Sequence, residues 1–105
     1  MSTSTTKDTV AEAVKVSFGR DKLTVLLADG RSLSVPLDWF PRLKFSTARE
    51  RSNWQIIGDG LGITWPDIDE DISTEGLIAG RRSMESQRSF ARWMDNWTKK
   101  NRKSA

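Results

Sequence analysis

The 105-residue chain contains no cysteine, no histidine and no tyrosine. Without Cys there are no disulfides, no thiolate metal ligands and no thiol nucleophile. Without His there is no imidazole for acid/base work, no Ser-His-Asp triad and no His metal site. Any chemistry would have to rest on carboxylates, Lys, Arg, Ser and Thr. No apolar run approaches the roughly 18 residues of a membrane span, and Met1–Glu12 lacks the apolar core of a secretory leader. The expectation is a protein of the cytoplasm. One domain's worth of chain is present, with 36% hydrophobic and 30% charged residues.

Charge is unevenly spread. Residues 1–80 carry nine Lys/Arg against twelve Asp/Glu, a balance of −3. Residues 81–105 carry eight against two, a balance of +6. An acidic body with a basic tail suggests separate tasks for the two parts.

Residues 1–10 are rich in Ser and Thr and are expected to be disordered. Val14, Val16 and Phe18 alternate with polar residues, as in a half-buried strand. Leu23, Val25 and Leu27 predict a second strand, and Leu33, Val35 and Leu37 a third. Asp29-Gly30 predicts a two-residue type I′ turn between them. Pro36 puts the third strand at an edge. Asp38 is a candidate N-cap for a short helix containing Pro41. Thr47 and Glu50 form a capping-box pattern for a helix over about 47–53. Trp54–Ile57 and Leu61–Trp65 predict two further strands about Gly58-Asp59-Gly60. Asp67–Asp71 reads as a loop, and Ser73 as the cap of a helix ended by Gly80. The fold class expected is α+β: a small, mostly antiparallel sheet, made of an N-terminal three-strand meander plus a later hairpin, with short helices and a C-terminal amphipathic helix.

Between Leu37 and Leu77 these features make a connected pattern. It runs LDWFPRL (37–43), TARERSNW (47–54), IGDGLGITWP (57–66) and DEDIS (69–73). This pattern resembles a small bacterial family catalogued as domain of unknown function 2442, over roughly residues 11–82. The resemblance implies a small α+β domain without assigned catalytic residues. It also implies a gene neighbourhood of the toxin–antitoxin kind. The organisation expected is therefore a tail (1–10), a family-like domain (11–82) and a basic amphipathic helix and tail (83–105).

Three groups of residues are candidates for contact with partners. Phe90, Trp93, Met94 and Trp97 recur at i, i+3, i+4 and i+7 along a helix of about 84–100, a stripe fit either to dock on its own domain or to bind a protein or a second copy. Arg88, Arg92, Lys99, Lys100, Arg102 and Lys103 are candidate nucleic-acid contacts. Asp67, Asp69, Glu70 and Asp71 form a candidate acidic recognition loop. They fail as a calcium loop, since Ile72 and Ile78 stand where Gly and a bidentate Glu are needed. Gly58-Asp59-Gly60-Leu61-Gly62 lacks the Lys and the following helix of a phosphate loop.

The expectation is a non-catalytic protein-interaction module of antitoxin type, without cofactor, metal, small-molecule substrate or membrane attachment. A nucleic-acid-binding protein acting through the basic helix is one alternative. A phage- or plasmid-borne inhibitor of a host complex, acting through the acidic loop, is another.

Overall fold

The computed structural model describes residues 11–104, with side chains through Asn101; the expected disorder of residues 1–10 lies outside the described residues. Strands β1 (Ala13–Phe18), β2 (Lys22–Leu27) and β3 (Ser32–Pro36) form an antiparallel meander in the order β1-β2-β3. Strands β4 (Gln55–Ile57), β5 (Gly62–Trp65) and β6 (Glu70–Ser73) form a second antiparallel sheet in the order β4-β5-β6. Short helices α1 (Pro41–Phe45), α2 (Ala48–Ser52) and α3 (Thr74–Ile78) connect and flank the sheets, and α4 (Gln87–Ser104) ends the chain. The architecture is α+β.

One core joins the sheets. Leu23, Val25 and Leu27 supply the buried face of β2, and Ile63 and Trp65 that of β5. Leu43 of α1, Ile68, Ile72 and Leu77 close the remaining sides. Trp65 is fully buried and donates its Nε1–H to the Arg51 carbonyl at 2.9 Å. Burying an indole without such an acceptor would be costly. Phe18 meets Trp65 edge-on, with ring centres 6.2 Å apart.

Several local expectations need correction. The alternation expected of β1 breaks, because a bulge between Ala13 and Lys15 slips the register. Ala13 and Val16 are buried, and Val14 faces solvent. The β2–β3 turn is not a two-residue type I′ turn. Gly30 N–H donates to the Leu27 carbonyl and Leu27 N–H to the Arg31 carbonyl. Gly30 has φ +95°, and Asp29 is not left-handed. That is a three-residue loop with one glycine in the αL position, so only one residue needs positive φ. Asp38 does not cap α1. Residues Leu37–Trp39 form a 3-10 turn, Phe40 occupies the N-cap without a side-chain bond, and Asp38 pairs with Lys44. Pro41 does sit at the start of α1, where its missing N–H leaves no bond unmade.

The Asp67–Asp71 stretch is not all loop. Glu70 and Asp71 begin β6, paired to β5 in the register Trp65↔Glu70 and Thr64↔Asp71. The turn is confined to residues 66–69, where Asp69 takes φ +55°. Leu61 falls outside β5 and is half exposed. Two capping expectations stand. Thr47 and Glu50 exchange both capping-box bonds, and the Ser73 hydroxyl accepts from Gly76 N–H. The C-terminal helix starts at Gln87, later than expected, and runs on to Ser104.

Candidate functional site

The basic helix is fastened to the domain it follows. Ser86 accepts from Ser89 N–H through its side chain and from Phe90 N–H through its carbonyl, which opens α4. One residue earlier, Glu85 meets Arg42 of α1. The Arg42 Nε reaches both Glu85 oxygens at 3.0 Å, and Nη2 bonds Oε2 as well. Ser89 donates to the same carboxylate at 2.7 Å. Arg42 Nη1 also bonds the carbonyls of Ile68 and Asp69, each at 3.0 Å. One guanidinium thus ties together α1, the β5–β6 turn and the approach to α4. The bonds from Arg42 hold the Glu85 carboxyl below its ordinary range, and Glu85 in turn raises Arg42.

The aromatic stripe lies against the domain. Phe45 of α1, Phe90, Trp93 and Trp97 form a ladder with successive ring centres 5.8, 5.7 and 5.9 Å apart. Arg42 sits over Trp93, with Cζ 5.6 Å from the ring centre. Trp97 Nε1–H donates to Glu50 Oε1 at 2.9 Å. The same oxygen accepts from Thr47 N–H at 2.8 Å, so the capping-box carboxyl also anchors the end of the ladder. Phe90, Trp93, Met94 and Trp97 are half-buried. The stripe expected to meet a partner is therefore largely taken up within the chain, and only its outer edges face solvent.

The opposite side of α4 is cationic. At about 100° per residue, Arg88, Arg92 and Lys99 fall within roughly 40° of one another and opposite Trp97. All three are exposed. Lys99 pairs with Asp95 one turn away at 3.2 Å, whereas Arg88 and Arg92 have no partner among the described residues. Lys100 lines a shallow cleft with Thr47, Glu50, Asp67 and Asn101. The side chains of Arg102 and Lys103 lie outside the described residues.

The acidic candidates are parted by the hairpin. Asp67 accepts from Asn53 Nδ2 at 2.9 Å. Asp69 is exposed at the turn, 4.0 Å from Arg42 Nη1. Asp71 accepts from the Thr64 hydroxyl on the outer face of β5–β6. Glu70 points the other way, half-buried near Arg42 and Glu85. Burial pushes its carboxyl up to about 7; Arg42 opposes the rise, while Glu85, Asp71 and Asp69 add to it. Among the described residues no group of three or more carboxyls is placed to hold a metal ion. No helix among them is long and apolar enough to cross a membrane.

Sequence reasoning missed the residues that seat α4. Glu50 was legible only as a cap and Arg42 only as part of the LDWFPRL pattern. Their partners Trp97 and Glu85 lie 47 and 43 positions away, and a single sequence carries no signal linking them. Trp39 and Trp54 are half-buried against the core, and Arg82 stacks on Trp39 at 5.1 Å.

Comparison with solved structures returns two bacterial proteins. A protein of unknown function from Rhodospirillum rubrum is 25% identical, with a TM-score of 0.63, and the match covers 73% of this chain and 95% of that one. An uncharacterised protein from Chromobacterium violaceum is 25% identical, with a TM-score of 0.60, and the match covers 77% of this chain and 74% of that one. No curated protein matches. The family model "Protein of unknown function (DUF2442)" matches residues 13–83, which span both sheets and α1 to α3 and stop short of α4. The chain belongs to this DUF2442 family.

Proposed function

We propose that the chain is a non-catalytic binding module whose partner is an acidic protein engaged by the outer side of α4, in the manner of an antitoxin holding its toxin. The observation that carries this reading is the two-sidedness of α4. Its aromatic side is seated on the domain by Arg42, Phe45 and Glu50. Its other side presents Arg88 and Arg92, exposed and unpaired among the described residues. Seating the helix fixes those cations in space before a partner arrives, which lowers the entropy cost of association.

The same cation row favours a second reading, contact with nucleic-acid phosphates. Affinity capture with the tagged full chain separates the two. The protein reading expects a specific protein to be retained after nuclease treatment, with only modest loss between 50 and 200 mM salt. Material released by nuclease, or binding that falls by about a thousandfold over that range as for many phosphate contacts, supports the nucleic-acid reading instead. Retention of nothing contradicts both.

A further inference from the structure

We propose that Glu70 is a proton-operated release on the start of α4: once ionised, it loosens the Arg42–Glu85–Ser89 tie that seats the helix. The device belongs to the free chain, so its failure leaves the binding-module reading untouched. The β5–β6 register sets Glu70 opposite Trp65 and two residues before Ile72, both of them buried. Residues two apart on a strand share a face, so Glu70 turns toward the core side of the sheet while Asp71 turns away. The carbonyls just before it, of Ile68 and Asp69, accept from Arg42 Nη1. Glu70 therefore stands beside the same guanidinium that holds Glu85, yet it forms no ion pair among the described residues.

That guanidinium has almost nothing left to give. Nε–H is shared by both Glu85 oxygens, one Nη2–H goes to Oε2, and Nη1 serves the two carbonyls. Of the N–H groups an arginine carries, a single one on Nη2 is uncommitted. A protonated Glu70 makes little demand on this arrangement. An ionised Glu70 puts a second carboxylate next to Glu85, with one cation and too few donors for both. Either Glu70 draws Arg42 away from Glu85 or the two carboxylates repel. Both outcomes weaken the first turn of α4, where Ser89 shares the Glu85 carboxylate and Arg88 begins the cation row.

Burial raises the Glu70 carboxyl to about 7 against the pull of Arg42, and Glu85, Asp71 and Asp69 add to the rise. The Glu85 effect is mutual: charge on Glu70 acts on Glu85 as strongly as the reverse. Arg81 and Arg82 of the connector line the same cleft as Glu70, but both are exposed, so water and salt screen them. The folded-state value lies above the ordinary 4.5, so the tie is whole at low pH and gives way as pH rises through about 7.

The test is amide hydrogen exchange of the full chain, read as protection relative to the unstructured rate at each pH. Between about pH 6 and about pH 8 the amides of residues 90–93 should lose protection about three- to tenfold, and in Glu70→Gln they should lose none. Glu85→Gln should show weaker protection of these amides at both ends of the range and no dependence on pH, which keeps the comparison open if Glu70→Gln does not fold. A Glu70 that titrates without touching the seat gives a different pattern: the β2 amides, which need global unfolding, lose protection while residues 90–93 do not. That pattern overturns the proposal, as does an undiminished pH dependence of residues 90–93 in either variant.

Discussion

Glu70, half-buried, and Glu50, buried, are two carboxyls with different consequences. Glu70 has a folded-state value of about 7 against an ordinary 4.5. Between those values the folded chain holds a proton that the unfolded chain releases, so stability falls as pH rises through the window. Glu70→Gln removes that dependence. Urea unfolding of variant and parent should show the variant gaining about 1–2 kcal/mol relative to parent between pH 5 and pH 8, allowing for partial solvent screening. Glu50 serves structure directly, by capping α2 and receiving Trp97. Glu50→Ala should cost about 2 kcal/mol, the sum of a lost cap and a lost buried acceptor. A double-mutant cycle with Trp97→Phe should recover a coupling of about 1 kcal/mol, and additivity of the two changes would deny the bond. Glu50 shows how far the sequence could be read at this scale. Its capping role was written in Thr47-Ala48-Arg49-Glu50, but its second role depended on a residue 47 positions away.

Among the elements, the turns differ in what their glycines must accommodate. Gly30 has φ +95° and open space where a side chain would go, so Gly30→Ala should cost about 1 kcal/mol of backbone strain alone. Gly60 has φ +98°, and an added Cβ would lie 2.7 Å from Glu12 Cβ and 3.0 Å from the Ala13 carbonyl. Gly60→Ala should therefore cost clearly more, by at least about 1 kcal/mol, because the start of β1 would have to move. Thermal melts of the two variants rank them directly, and equal losses would contradict the close approach. Elements with a clean local signal were legible: β2 from Leu23, Val25 and Leu27, α2 from its capping box, α3 from Ser73. β6 was not, since Glu70-Asp71-Ile72-Ser73 carries one apolar residue and no period to detect. It is a strand because β5 lies beside it. The β1 bulge was hidden for a similar reason: Val14 looks like a core residue, and only pairing with β2 turns it outward.

At the scale of the whole molecule, the family domain and the basic helix act as one body. The family match ends at residue 83, and α4 returns to the domain through Glu85, Phe90, Trp93 and Trp97. The amphipathic helix could be read from its stripe and the charge asymmetry from composition. That the stripe would be seated on its own domain could not, because an apolar stripe fits a domain and a partner equally well. Seating leaves the cations as the freer contact surface, and they carry little of the fold. Reversing exposed charges such as Arg88 and Arg92 should change stability by less than about 0.5 kcal/mol. The most direct measurement is the affinity of the captured partner protein for the Arg88→Glu/Arg92→Glu double variant, made beside its melting temperature. A loss of at least about tenfold with an unchanged melting temperature is the predicted result; unchanged affinity in that variant would contradict the account.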